Sequence, residues 1–495
     1  MELIYLSTVA GLAVYKCIME KIYNYINGDL LEPFSKQYLD NINPATAEVF
    51  SLVPDSGKED FDQALKAAND AFSGWKGLSN AKRADYLILI SDKIKDKLEH
   101  LAVAESTDTG KPLSLARAVD IPRAAENFKF FAHAITQFGS ESFNTNESIN
   151  YTLRQPLGTV ACISPWNLPL YLFTWKIAPA LASGNCVIAK PSELTPYTAF
   201  LLSKICIEVG LPKGVLNILH GRGARIGEPI VASPFVKAIS FTGGTATGKR
   251  IATISAPLLR KVSLELGGKN PAIVLADCDL EKTVDRLTKA SFTNQGEICL
   301  CASRLLIQDE IYDAFKRLFV SKVKALKVGD PSLEGTDMGA LISANHLHKV
   351  NNYIQRAIAE GGKLLCGDEA VEMPADGYYM RPHVLEGLGN ECEINQEEVF
   401  GPVVCLQKFT TVEEAIKLAN NSDYGLAATL WTESVSKAHA IACELDTGIV
   451  WINTWMNRDL RTPFGGVKNS GLGREGGVEV LRFFTEPKNV CLSYI

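Results

Sequence analysis

Residues 160–163, Val160-Ala161-Cys162-Ile163, run directly into Pro165-Trp166-Asn167-Leu168-Pro169, and this stretch decides the reading of the fold. A short apolar run closed by a proline-bounded turn reads as a buried strand. Runs of the same kind recur at Cys186 to Ala189, Val215 to Leu219, Ala238 to Phe241 and Ala272 to Leu275, with stretches of helical pattern between them. Strand and helix in alternation predict βαβ units around a parallel sheet. One connecting helix is punctuated at both ends: Pro196 suits an early helical position, and Gly210 follows the series Leu201, Ile205, Val209 as a stop. Upstream, Phe61, Leu65, Ala68 and Phe72 form the stripe of an amphipathic helix, and Leu87, Ile90, Ile94 and Leu98 mark a second. The α/β style resumes from Ile298 to the end without a Pro/Gly/Ser-rich linker, which implies two α/β domains in close contact. The strand candidates Asn150 to Arg154 and Asn489 to Ile495 belong to neither series and are expected to pair with each other or with another subunit.

Composition narrows the function. The chain has 495 residues, enough for two or three cores, and is 46% hydrophobic and 21% charged, so it is neither a small module nor a disordered chain. A balance of 50 Lys+Arg against 56 Asp+Glu, with no basic cluster, argues against nucleic acid or a polybasic membrane contact and for a small-molecule partner. Twelve cysteines without a framework spacing suggest reduced thiols and a cytoplasmic location. Residues 1–20 form an atypical apolar leader: Lys16 breaks it, it lacks a basic start, and it reads as an appended leader or a fraying helix rather than an anchor.

Several stretches carry more special residues than folding requires. Asn167 follows a strand end, where open α/β sheets keep their ligands, although it also suits a helix cap. Glu265-Leu266-Gly267-Gly268-Lys269 pairs a carboxylate with glycines that admit close backbone approach; a surface carboxylate beside a tight turn fits equally. Phe241-Thr242-Gly243-Gly244-Thr245-Ala246-Thr247-Gly248 is a strand, glycine turn and helix start suited to phosphate, without the G-x-G-x-x-G spacing. Asn294-Gln295-Gly296-Glu297-Ile298-Cys299-Leu300-Cys301 places thiols after a glycine, where a structural buried cysteine is the ordinary reading. No His or Cys at ligand spacing completes a zinc set, so no metal is expected. With seven histidines in the chain and none beside these stretches, a Cys/His hydrolase has little support.

In order, Pro165-Trp166-Asn167, Ala189-Lys190-Pro191-Ser192-Glu193, the 241–248 turn, Glu265 to Lys269, Asn294 to Cys299, Glu397-Glu398-Val399-Phe400-Gly401-Pro402 and Pro463-Phe464-Gly465-Gly466-Val467-Lys468-Asn469-Ser470-Gly471 resemble the aldehyde dehydrogenase superfamily from about Tyr23 onward. The resemblance implies an α/β, aldehyde dehydrogenase-like fold. A Rossmann-like NAD-binding domain would span 21–141 and 157–267, an α/β catalytic domain 268–479, and a small β oligomerisation element 142–156 and 480–495 of a homodimer or homotetramer. It implies that Cys299 attacks the aldehyde, that Asn167 and the Cys299 N–H hold the oxyanion, and that Glu265 activates the water that hydrolyses the thioester. It assigns Lys190 and Glu193 to the adenine ribose of NAD, Glu398 and Phe400 to the nicotinamide side, and Trp166, Gly243, Gly244 and Gly248 to the pyrophosphate region. Many relatives carry Ser where Gly244 stands, so backbone N–H groups must serve there.

The substrate is read from the tunnel. Arg458 stands where relatives acting on apolar aldehydes carry an aromatic residue, and Arg123 lies in a segment flanking the same entrance. A desolvated guanidinium calls for an anionic partner. Salt bridges to the nearby Asp120 and Asp459 are the structural alternative for each arginine. Asp120-Ile121-Pro122-Arg123, the Cys299 segment, the Trp455 to Leu460 segment and Gly473-Arg474-Glu475-Gly476-Gly477 resemble the group that oxidises 2-aminomuconic 6-semialdehyde in tryptophan (kynurenine) catabolism. Hydroxymuconic semialdehyde, or retinal or another apolar aldehyde lined by Leu168, Tyr171, Trp175 and Phe464, stays open, as does a non-catalytic NAD-binding structural protein.

Overall fold

A computed structural model describes residues 3–9, 12–17, 20–369 and 373–494, with side chains from Glu20 on. Three buried parallel strands follow the expected runs: Thr159–Ile163, Cys186–Lys190 and Leu216–Ile218 lie side by side in chain order. The next two, Ala238–Thr242 and Lys261–Glu265, return to the opposite side of Thr159–Ile163. The order is thus that of a Rossmann sheet, and the direction of winding reverses between Thr159–Ile163 and Ala238–Thr242, which is where such sheets open a ligand crevice. Antiparallel strands close both edges, Gly471–Leu472 on one side and Asn24–Ile26 with Asp29–Leu31 on the other.

The chain then crosses from Glu265 to Asn270 and begins a second sheet. Asn270–Val274, Ala302–Gln308, Val403–Phe409, His383–Glu386, Ala427–Trp431 and Ile449–Ile452 run parallel, and Lys363–Cys366 is an antiparallel edge. Separate apolar clusters cover its faces, whereas the first sheet shares one large cluster with the N-terminal helices. The amphipathic stripes hold: Phe61 and Ala68 on Lys58–Gly77, and Leu87, Ile90 and Ile94 on Asn80–Asp96, point into that cluster. Leu98 does not continue the second stripe but opens a new helix, Leu98–Thr109, because Lys97 leaves helical geometry at φ −103° and ψ 18°.

Ser148–Pro156 and Thr485–Ser493 pair with each other over nine positions, and Ser142–Asn144 completes a three-stranded antiparallel sheet. Val480, Leu481 and Phe484 pack into the first core, so the antiparallel element starts at Thr485. The leader expectation falls largely outside the described side chains. Its described backbone is an antiparallel pair, Leu3–Val9 with Leu12–Cys17, rather than the fraying helix expected. Ile4, Tyr5, Thr8, Val9, Val14 and Tyr15 supply the β-branched and aromatic content that favours strands.

Contact between the halves is close at Gly110, which ends the helix Leu98–Thr109 at φ +75°, and Gly339. A Cβ on Gly339 would stand 1.9 Å from the Gly110 carbonyl oxygen. Gly339→Ala is therefore expected to cost about 1–3 kcal/mol through overpacking, read as a lower thermal midpoint. Gly74→Ala, in a helix and with no atom within 4 Å of the new Cβ, is the control and is expected to stabilise by roughly 0.5–1 kcal/mol.

Candidate active site

A trough opens at the winding reversal. Its outer part, about 750 Å³, is walled by Ile163 to Trp166 after one strand, Phe241 to Gly244 after the other, and Lys190 to Leu194. An inner chamber of about 220 Å³ shares Trp166, Gly243 and Gly244 and ends at Cys299. Gly244 caps the helix Thr245–Ser255 with no side-chain cap bond, and Thr242 Oγ1 is buried without a partner in the trough wall, so donors are free for an anionic group. Glu193 sits in the outer wall. One of its oxygens accepts from the Gly223 N–H at 3.2 Å and the other from Lys190 Nζ at 3.0 Å. Against the cost of burial, the Lys190 ammonium and these hydrogen bonds hold its carboxyl below the usual range. An ionised carboxylate fits a ribose diol and repels a phosphate. The residues present thus suit a dinucleotide along the length of the trough.

Gly248 is not in the wall, contrary to its expected role. A Cβ there would meet Leu266 Cδ2 at 2.4 Å, so its smallness serves helix packing. Glu398 accepts from the Gly268 N–H at 2.9 Å and closes on Gly267, where a Cβ would come within 2.2 Å of its Oε2. Burial raises Glu398 to about 7. Trp166 stands edge-on to Phe400 at 5.2 Å and to His346 at 5.4 Å. His346 Nε2 meets the Phe400 carbonyl at 2.7 Å, and burial lowers its pKa to about 4, which keeps it neutral. His346 and Lys349 line the inner chamber and escaped the sequence reading, since a histidine and a lysine on an ordinary helix carry no local signal.

The cysteine loop is pinned from three sides. Asn270 Nδ2 donates to the carbonyls of Cys299 at 2.7 Å and Cys301 at 2.9 Å, while its Oδ1 accepts from Ala427 N–H. Asn167 does not cap the following helix; Leu168 holds that position, and Asn167 Nδ2 donates to the Glu297 carbonyl at 2.8 Å. The loop enters through Asn294 and Gln295, both left-handed at φ 54° and 57°, a conformation that costs energy in residues other than glycine. Among the described residues the Cys299 N–H meets no protein acceptor, so it stays available. Cys301 turns away, its Sγ 3.9 Å from the Thr293 carbonyl. Burial, then the carboxylates of Glu398 and Glu265, raise the Cys299 thiol pKa, with Arg458 opposing.

Glu265 is buried, and neither carboxylate oxygen has a partner. Its Oε1 lies where a Gly465 Cβ would come within 2.7 Å, so in this position it is not part of the chamber wall. Burial and the nearby Glu475 raise its pKa well above the carboxylate range.

On the other side of the loop a second cavity of about 530 Å³ holds Arg123 and Arg458 together with Leu168, Tyr171 and Ile298. Arg458 donates to the Tyr171 hydroxyl at 2.8 Å and lies 3.8 Å over Phe464 and 5.3 Å from Trp175. Arg123 stands 5.4 Å over the same Tyr171 ring, its Nε and Nη2 buried without partners, and burial lowers its pKa. The two neighbouring aspartates are committed elsewhere: Asp120 to Lys111 at 2.8 Å and Asp459 to Arg461 at 2.5 Å. Both alternative salt bridges are therefore absent among the described residues.

The Aldehyde dehydrogenase family model matches residues 31–490. A 2-aminomuconic semialdehyde dehydrogenase of Bos taurus is 48% identical, over 95% of this chain and 98% of its own length. A 2-hydroxymuconic semialdehyde dehydrogenase of Pseudomonas sp. (strain CF600) is 43% identical, over 96% of this chain and 100% of its own. The NAD+ complex structure of an aldehyde dehydrogenase from Bacillus cereus superposes with a TM-score of 0.94 at 36% identity, covering 96% of this chain and 97% of that one.

A carboxylate beside a thiol disfavours the thiolate, and Glu398, at about 7, is ionised in the alkaline range where the thiol titrates. Glu398→Gln is thus expected to move the pH midpoint of Cys299 alkylation by iodoacetamide downward, followed by peptide mass spectrometry. An unmoved or raised midpoint would exclude the field assigned to Glu398.

Proposed function

The chain belongs to the aldehyde dehydrogenase family, and from that premise we propose that it oxidises 2-aminomuconate 6-semialdehyde to 2-aminomuconate with NAD, a step in tryptophan catabolism through kynurenine. One observation carries the choice of substrate: two arginines share the entrance cavity, and the aspartates beside them are taken by other cations. An unpaired guanidinium held against aromatic rings is stabilised by a ligand carboxylate. Apolar aldehydes such as retinal leave both cations without that partner. Hydroxymuconic semialdehyde presents a carboxylate too, and similarity to the bovine relative directs the proposal to the amino compound.

In the proposed reaction the substrate carboxylate meets Arg458 and Arg123, which places the aldehyde carbon toward Cys299. The Cys299 thiolate adds to that carbon, forming the C–S bond and an oxyanion. Neutral donors, the Asn167 amide and the Cys299 N–H, receive the oxyanion. Glu193 and Glu398, at the two ends of the trough, would hold NAD, which when bound would supply the hydride acceptor. Glu265 then takes a proton from water as the water attacks the resulting thioester, releasing the carboxylic acid and the thiol. To do so it must swing out of its place beside Gly465. The intact set of Cys299, Asn167 and Glu265 speaks against a non-catalytic role.

Cytoplasmic residence fits the eleven free cysteines among the described residues, and none of the described helices is long and apolar enough to cross a membrane. Thr485–Ser493 is an edge strand with Leu492 exposed, and Tyr494, just after it, is exposed too. Such an edge is normally covered, which supports a homodimer or a pair of dimers. Light scattering at micromolar concentration is expected to give a mass of two or four chains; a stable monomer would refute the assembly.

Arg458→Ala is expected to lower kcat/KM for a carboxylated semialdehyde by roughly 10- to 150-fold, the equivalent of a charged hydrogen bond. For an uncharged aldehyde of similar size the same change should be nearly neutral. Equal loss on both substrates would sink the clamp and leave the family assignment standing.

A further inference from the structure

One buried charge lies beneath the site and takes no part in the chemistry described so far. Lys111 is fully buried, as is Asp120, and their ion pair closes at 2.8 Å. The same ammonium donates to the main-chain carbonyl of Asn167 at 2.9 Å. From the loop side Asn294 Nδ2 donates to that carbonyl at 3.3 Å and to the Glu297 carbonyl, also at 3.3 Å. The Glu297 carbonyl is the acceptor that Asn167 Nδ2 meets at 2.8 Å. Two side chains thus grip the backbone of Asn167 while its own amide reaches the nucleophile's loop. A neutral donor would satisfy a peptide carbonyl, yet the fold buries an ammonium there, paired with Asp120 and within the field of the buried Glu105 and Glu297, which is a costly arrangement.

The placement of Asp120 adds a second observation. It ends a π-helical turn, Ala116–Asp120, of which Ala118, Val119 and Asp120 line the entrance cavity. Such turns interrupt a helix at an energetic cost and concentrate at functional sites. Here the turn sends the Asp120 carboxylate inward to Lys111, while Arg123, three residues later, faces the entrance.

We infer that Lys111, held by Asp120, is a positioning residue that fixes Asn167 so that its amide meets the oxyanion formed when Cys299 adds to the aldehyde. The inference rests on the oxyanion role proposed for Asn167. A carbonyl held by a charged donor and an amide cannot rotate, so the root of the Asn167 side chain is set before substrate arrives. Geometry of this kind decides rates, since a displacement of about 1 Å costs on the order of a hundredfold.

Four variants of the full chain test it: Lys111→Met, Lys111→Arg, Asn167→Ala, and Lys111→Met with Asp120→Leu, which removes both buried charges and leaves neither alone. Lys111→Met is expected to slow the pre-steady-state burst of NADH roughly 10- to 100-fold. The dissociation constant for NAD, read by fluorescence, and KM for the semialdehyde should stay within about twofold. Lys111→Arg, which keeps a charged donor, should recover part of the burst. In the Asn167→Ala background Lys111→Met should add no further loss, because two residues acting through one contact are not additive; a merely structural lysine would multiply the loss. The doubly neutralised variant should fold, by its thermal midpoint, and still show the slow burst. The inference is overturned if that folded variant reacts at the parental rate, or if Lys111→Met compounds the defect of Asn167→Ala. Loss in Asn167→Ala with none in Lys111→Met removes the positioning role alone. A parental burst in Asn167→Ala removes the oxyanion reading beneath it.

Discussion

Asn270 is the residue on which the cysteine loop depends. It is the first residue of the second sheet, and it grips the carbonyls of Cys299 and Cys301 while accepting from Ala427 on the neighbouring strand. Two of the three bonds of this carboxamide are buried and the third, to Cys299, is partly so, and loss of any leaves a main-chain group without a partner. The loop can then carry two left-handed residues, Asn294 and Gln295, because its far end cannot relax. The crossing from Glu265 to Asn270 places this clamp just beyond the C-terminal end of the first sheet. The trough ends at the nucleophile because the strand that bounds it continues, five residues on, into the strand that holds the loop.

Negative charge is unusually dense around a thiol that must ionise. Glu398 and Glu265 both raise the Cys299 pKa, and burial exceeds either contribution. The same burial raises the two carboxyls themselves, so they compete least with the thiolate where they are protonated. Glu265 is further disfavoured as an anion by Glu475, whose carboxylate is locked to Lys176 at 2.5 Å and to the Ser240 hydroxyl at 2.9 Å. A base held protonated and out of the chamber wall is one that acts after movement, which suits a step that follows thioester formation.

Short local patterns carried most of this into the sequence. Four of the five parallel strands of the first sheet were legible as apolar runs bounded by turns, whereas the run Ala272 to Leu275 belongs to the second sheet; the trough followed because ligands sit at strand ends where the winding reverses. Cys299, Asn167, Glu193 and Glu398 were legible because each sits in a motif with glycine or proline at a fixed offset. Gly248 shared such a motif and proved to be a packing residue, since a glycine in a helix looks the same whether its neighbour is a phosphate or Leu266. His346, Lys349, Asn270 and Lys111 were not legible. Their roles come from contacts spanning 29 residues between Asn270 and Cys299, 54 between His346 and Phe400, and 56 between Lys111 and Asn167, which no local pattern reports.

In the proposed reaction the entrance arginines and the oxyanion donors divide two tasks that one cation could not perform. Arg458 lowers the pKa of both Cys299 and Glu265, so it supports negative charge at the reacting centre while the cavity is free of an anion. A substrate carboxylate seated on Arg458 cancels that field at the moment of addition. Stabilisation of the oxyanion must therefore come from groups whose dipoles the carboxylate does not neutralise. The Asn167 amide and the Cys299 N–H are such groups: both are neutral, both are fixed by the loop geometry, and neither faces the entrance cavity. Recognition by charge at the entrance thus requires neutral donors at the centre, and those donors are effective only because buried contacts hold them in place before the substrate enters.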